Sequence, residues 1–106
     1  MIEAEIFTDK SGSLLGFLIR GHSGYSHQGA DIVCAAVSSA AYMAANTILE
    51  VIGIGADVIV RDGYMRLMIS SDEAKACRDI LTGFKLHICS LEEQYSDYLT
   101  VNYLEV

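Results

Sequence analysis

The segment from Ile32 to Ile54 is almost entirely apolar, and it limits the folds open to this chain more than any other part of the sequence. Its few polar side chains include Ser39, Asn46 and Glu50, whose spacing places them on one narrow stripe of an α-helix. The carboxylate in that stripe argues against a membrane-spanning helix, because an ionised group inside a bilayer is costly. We therefore expect a buried helix that needs cover on more than one side, from a sheet and from another subunit.

A β-hairpin is predicted after this helix, around Asp62 and Gly63. An Asp-Gly pair between two β-rich runs is typical of a two-residue turn with positive φ values. Such a turn fixes the register of the two strands, and the register separates apolar pairs from mostly polar ones. The expected apolar pairs are Val60 with Met65 and Val58 with Leu67, and the others are Arg61 with Tyr64 and Ile59 with Arg66.

The remaining elements follow from periodicity and turn residues. Strands are predicted at 2–7, at 14–20 and around 99–103, and an amphipathic helix capped by Ser71 should extend to about Tyr95. The order is strand, strand, helix, strand, strand, helix, strand. We expect an α+β two-layer sandwich with both helices on one face of a mostly antiparallel sheet, forming a single domain over residues 1–106.

Charge and cysteine usage narrow the possible partners and compartments. Asp and Glu number 14 against 7 Lys and Arg, the net charge is -7, and no basic run is present, so direct nucleic-acid binding is not expected. The N-terminal segment is acidic where a signal peptide would be basic, and three widely spaced cysteines suggest no disulfide framework. We expect a cytoplasmic protein that requires no cofactor and is not inserted in a membrane.

Catalytic chemistry is suggested by the junction between the second strand and the long helix. His22 ends the strand, and Cys34 falls in the first helical turn, at its third position if Asp31 is the N-cap. Thiol pKa values fall at helix N-termini and beside a His, so Cys34 is a candidate nucleophile and His22 its general base and acid. Backbone N–H groups at the same helix start are candidate oxyanion donors.

Residue patterns alone leave other interpretations open. A Cys on an apolar helix is often a small core residue, and we expect this of Cys77 and Cys89. His27, in the glycine-rich loop, is a second candidate base, and with His22 and Cys34 it is also a candidate zinc ligand. That spacing fits no common structural zinc site, so we expect no metal. His87 is predicted to be structural or exposed.

The segment GHSGYS, followed by a glycine and DIVCAAVS, resembles the signature of the ribosomal-processing cysteine protease (Prp) family. The resemblance is detailed from Arg20 to Ser39, and the element order matches more loosely over the whole chain. It implies a small, cytoplasmic, homodimeric cysteine endopeptidase. Its implied substrate is a large-subunit ribosomal protein, from which the family removes a short N-terminal extension by cutting after a hydrophobic pair.

The resemblance also implies roles for individual residues. Cys34 is the expected nucleophile and His22 the expected general base, with Gly21, Asp31 and Ser38 as supporting residues. Gly21 is interpreted as a hinge of the substrate loop and Asp31 as N-cap and orienter, while Ser38 is interpreted as a packing or helix-bonding residue. The alternative function, from the class of binding proteins, is a non-enzymatic dimeric module that binds a ribosomal protein tail without cutting it.

Overall fold

Five strands and two long helices are found in the part of the chain that the structure, a computed structural model, describes: residues 1–22, 24 and 31–106. The strands are β1 (Ile2–Thr8), β2 (Leu14–Arg20), β3 (Asp57–Arg61), β4 (Tyr64–Met68) and β5 (Leu99–Glu105). Helix α1 (Ile32–Asn46) continues into a π-helical segment (Thr47–Ile52), and a 3-10 turn (Ser71–Glu73) precedes helix α2 (Ala74–Gln94). The predicted order of elements is confirmed.

The strands form one sheet in the order β3-β4-β2-β1-β5. The pairings β3–β4, β4–β2 and β2–β1 are antiparallel, and β5 lies parallel to β1. The fold is therefore the α+β arrangement with a mostly antiparallel sheet that the sequence predicts. The hairpin register is also confirmed, since Val60 lies opposite Met65 and Val58 opposite Leu67. The turn is not of the expected kind with positive φ at both central residues, because Gly63 has a φ of 65° and Asp62 has no positive φ.

The core lies between one face of the sheet and the two helices. Ile6, Phe17 and Leu67 lie side by side on three neighbouring strands, and all three are buried. The ring of Phe17 stacks on Phe84 of α2 with 4.2 Å between ring centroids. The buried residues of α2 recur every three or four positions, which is why one face of this helix covers the sheet: Ala74, Cys77, Leu81, Phe84, Ile88 and Leu91.

The long apolar helix is only partly covered. Its predicted stripe of Ser39, Asn46 and Glu50 is exposed. In the helical stretch Ile32–Ile52, only 33% of an apolar 18-residue segment is buried inside the protein. By length and composition this stretch would suffice to cross a membrane, a property that core helices of water-soluble proteins share. The stretch ends at Gly53, whose φ of 83° is the left-handed cap that the sequence predicts.

The start of the second helix differs from the prediction. Ser70, not Ser71, is the N-cap, and it forms a reciprocal capping box with Glu73. The reason is the additional 3-10 turn, which moves the beginning of the helical segment one residue earlier. The hydroxyl of Ser71 donates instead to Oδ2 of Asp9 at 3.1 Å, and so connects this turn to the β1–β2 connection.

Candidate active site

Asp31 fixes the position of Cys34 at the start of α1. Its backbone is extended, and its Oδ1 accepts hydrogen bonds from the N–H groups of Val33 and Cys34, each at 3.0 Å. Asp31 is therefore the N-cap that the sequence predicts, and Cys34 occupies the third helical position. The Cys34 side chain is half-buried.

His22 lies just beyond the end of β2, beside the turn of the β3–β4 hairpin. The preceding residue, Gly21, has a φ of 92° and donates its N–H to the carbonyl oxygen of Gly63 at 2.9 Å. A Cβ on Gly21 would lie 2.6 Å from the carbonyl oxygen of Met1. Both the positive φ and this close approach require glycine at position 21. Its role as a hinge stays a prediction.

His22 and Cys34 line the same cleft, which has a volume of about 540 Å³. Helix α1 forms one wall, the strands contribute the floor, and the β3–β4 turn forms the rim. All five predicted site residues lie around it: Gly21, His22, Asp31, Cys34 and Ser38. The floor and adjoining wall include apolar side chains that the sequence prediction had not joined to the site: Ile2, Ile19, Val37, Ala41, Val60 and Met65.

Three of the N–H groups at the start of α1, where we expected oxyanion donors, are already hydrogen-bonded within the helix start. The N–H groups of Val33 and Cys34 are bonded to the Asp31 carboxylate, and the N–H of Ala35 is bonded to the Asp31 carbonyl oxygen at 3.1 Å. A donor that is already bonded in this way stabilises the helix start and not a developing oxyanion. These three groups are therefore removed from the set of candidate oxyanion donors.

The zinc and second-base alternatives both depend on His27. His27 lies outside the described residues, so the zinc alternative and the second-base alternative stay untested. Within the described ranges, no group of three His, Cys, Asp or Glu side chains is arranged to hold a metal ion. His87 is exposed on α2, as predicted, and Ser38 is exposed one helical turn after Cys34.

The two remaining cysteines differ from each other. Cys77 is fully buried, as predicted, and burial, together with the nearby Glu73 carboxylate, raises the pKa of its thiol. Cys89 is only half-buried, which the core interpretation did not expect, and its Sγ lies 3.5 Å from the hydroxyl of Tyr103. That contact is the main reason why the pKa of Tyr103 is raised, with burial as the second cause.

Sequence reasoning did not place the hairpin turn beside His22. Arg61, Gly63 and Tyr64 line the cleft, and the Arg61 guanidinium lies 4.5 Å from the centre of the Tyr64 ring. The turn itself was recognisable from Asp62-Gly63. Its proximity to His22 depends on the pairing of β4 with β2, for which the sequence offered no local signal.

Comparisons with known proteins agree over nearly the whole chain. The family described as cysteine protease Prp matches residues 1–100. The ribosomal processing cysteine protease Prp of Bacillus subtilis (strain 168) is 24% identical over 107 residues, which cover 95% of this chain and 96% of that protein.

Solved structures share the fold. The S. aureus protease Prp in complex with a covalently linked product peptide has a TM-score of 0.90 and 24% identity, and the match covers 98% of this chain and 100% of that one. SMU.848 from Streptococcus mutans has a TM-score of 0.84 and 26% identity, with 100% of this chain and 99% of that one covered. Both solved structures therefore share the α+β arrangement of this chain.

Proposed function

The chain belongs to the cysteine protease Prp family, and from that premise we propose that it is an endopeptidase with Cys34 as nucleophile and His22 as general base and acid. The observation that carries the proposal is that both side chains line one cleft, with Cys34 in the first turn of a capped helix. A thiol at a helix N-terminus, with an imidazole available in the same cleft, supports the formation of the thiolate that cysteine peptidases use as nucleophile.

The proposed reaction has two halves. The Cys34 thiolate attacks the scissile carbonyl carbon, and the electron pair of the C=O bond moves to oxygen. When this intermediate collapses, the C–N bond breaks and His22 protonates the leaving amine, which leaves a thioester on Cys34. His22 then takes a proton from water as that water attacks the thioester, the C–S bond breaks and restores the thiolate, and the product acid loses its remaining proton to solvent and leaves as a carboxylate.

The proposed substrate is the short N-terminal extension of a large-subunit ribosomal protein. The name of the Bacillus subtilis relative includes ribosomal processing, and S. aureus Prp has been crystallised with a substrate peptide and with a product peptide. Ile19, Val60 and Met65 give the cleft an apolar surface suited to a hydrophobic pair before the scissile bond. The net charge of -7 favours a Lys-bearing peptide.

The assembly and location that we propose are a homodimer in the cytoplasm. The large apolar side chains of Ile32 and Met43 on α1, and of Val51 in the π-helical segment that continues it, are 51%, 54% and 79% exposed. A second copy that packs on this outward face of α1 would remove them from water. Tyr42, which lines the cleft, adjoins the same face, so the partner would also lie near the substrate.

Mass spectrometry of peptides that span candidate N-terminal extensions tests the proposed reaction. Cys34→Ser and His22→Ala should each lower the cleavage rate by at least about a thousandfold, while circular dichroism shows an unchanged fold. Matched controls are Cys89→Ser, a half-buried thiol away from a helix start, and His87→Ala, an exposed imidazole. Both controls should cleave at the wild-type rate.

A second measurement separates a peptidase from a binding module. In the wild-type chain, the rate of Cys34 alkylation should show a thiolate that persists well below pH 8, and His22→Ala should reduce it. Wild-type cleavage that survives in Cys34→Ser would contradict the assignment of the nucleophile. Tight peptide binding with no product and an ordinary thiol titration would instead establish the non-enzymatic module.

A further inference from the structure

Gly63 contacts two consecutive residues of the candidate active site. Its carbonyl oxygen accepts the N–H of Gly21 at 2.9 Å, and a Cβ built on Gly63 would lie 3.0 Å from Nε2 of His22. The same Cβ would lie 3.5 Å from Cε1 and 3.7 Å from Cδ2 of the ring. Among the glycines that the structure describes, Gly63 is the one whose Cβ space is taken up by the side chain of a proposed catalytic residue.

We propose that Gly63 is a positioning residue for His22. The hydrogen bond to Gly21 holds the backbone at the end of β2, while the bare Cα of Gly63 lets the imidazole rest against the hairpin turn. Any side chain with a Cβ would displace the ring by a few tenths of an ångström, because 3.0 Å is shorter than an ordinary carbon–nitrogen contact. This inference rests on the proposed function of His22 but concerns a different element of the fold.

The turn by itself offers a simpler reason for glycine, and the two reasons predict different results. Gly63 has a φ of 65°, the left-handed conformation at the second central position of this turn, which glycine adopts without strain. A role in the turn alone would affect stability. A role in positioning would also affect the chemical step, because misplacement of a catalytic group by 1 Å costs up to about a hundredfold in rate.

Gly12 supplies the matched control. It lies in the β1–β2 turn with a φ of 87°, and a Cβ there would meet no atom within 4 Å. This turn is at the opposite end of β2 from His22, roughly 20 Å away by strand geometry. Gly12→Ala therefore introduces the same backbone strain with no contact to the imidazole.

The experiment compares Gly63→Ala with Gly12→Ala in the full chain. Gly63→Ala should lower kcat about tenfold with little change in KM, and it should shift the Cε1–H NMR signal of His22. Gly12→Ala should lower Tm comparably while it leaves kcat and that signal unchanged. Gly63→Asn provides a second variant, since Asn tolerates the left-handed conformation better than Ala while it still carries a Cβ.

Each outcome has a defined meaning. Equal kcat values and equal His22 signals in the Gly63 and Gly12 variants would overturn the positioning role and leave Gly63 a turn residue only. Loss of folding in both Gly63 variants, but not in Gly12→Ala, would also overturn it. If the wild-type chain cleaves no peptide, the proposed function fails, and the His22 signal still decides whether Gly63 positions the ring.

Discussion

Asp31 illustrates how one side chain connects helix formation to the proposed chemistry. Its carboxylate bonds two N–H groups of the first turn of α1, including that of Cys34. The same two bonds hold the thiol at the cleft wall. They also occupy two N–H groups that we had expected to donate to an oxyanion in the cleft. Helix capping and oxyanion stabilisation thus compete for the same N–H groups, and in this structure capping prevails.

The capping role of Asp31 predicts a difference between two substitutions. Asp31→Ala removes both hydrogen bonds and should lower the free energy of unfolding by about 1 kcal/mol. Asp31→Asn keeps a side-chain oxygen as acceptor and should cost much less, because Asn and Asp are similarly good N-caps. Urea unfolding of the three proteins measures both values. An Asn variant as unstable as the Ala variant would indicate that the charge of Asp31, and not its capping geometry, matters.

At the scale of elements, Asp9 holds the β1–β2 connection together and links it to the start of the second helical segment. Its Oδ1 accepts hydrogen bonds from the hydroxyl of Ser11 at 2.8 Å and from the N–H groups of Ser11 and Ser13, and its Oδ2 accepts from Ser71. The bond from the Ser11 hydroxyl, followed by that from the Ser13 backbone, lowers the pKa of the Asp9 carboxyl below its usual value of 3.8.

This lowered pKa predicts how the contribution of Asp9 depends on pH. A carboxyl with a lower pKa in the folded state stabilises the protein above its unfolded pKa, and the contribution disappears as the pH falls through the folded value. The difference in unfolding free energy between the wild type and Asp9→Ala should therefore be largest near neutral pH and shrink below about pH 4. Thermal or urea unfolding at pH 7 and pH 3 measures this difference.

The exposed carboxylate Asp97, in the α2–β5 connection, offers a control for the Asp9 experiment. Asp97→Ala should change the free energy of unfolding little at either pH. A difference between the wild type and Asp9→Ala that stays constant from pH 7 to pH 3 would contradict the hydrogen-bond explanation.

At the scale of the whole molecule, what the sequence predicted was local. The hairpin register followed from Asp62-Gly63 and the cap of α1 from Asp31. One short segment predicted that His22 and Cys34 would lie near each other, and both line the same cleft. The position of β5 beside β1 and that of β4 beside β2 depend on pairing between distant segments, which periodicity does not encode. For this reason Gly63 could be predicted as a turn residue but not as a neighbour of His22.

The uncovered face of α1 leads to the prediction at the largest scale, which concerns the proposed dimer. Met43 is 54% exposed on that face, and Met43→Glu would place a charge within the proposed contact. The dissociation constant should then rise by at least about a hundredfold, since a buried, unpaired charge costs several kcal/mol. Sedimentation velocity and light scattering should show a wild-type dimer and a monomeric variant at micromolar concentration.

Leu86 provides the matched control for this experiment, because it is a large apolar side chain, 64% exposed, on the other helix. Leu86→Glu should leave the dimer intact if the contact is formed by α1, since the same charge is then introduced away from the interface. If only Leu86→Glu dissociates the dimer, the interface is formed by α2 and not by α1. A wild-type chain that is monomeric would contradict the proposed dimer. Because Tyr42 lies between this face and the cleft, loss of the dimer in Met43→Glu should also raise KM for the peptide.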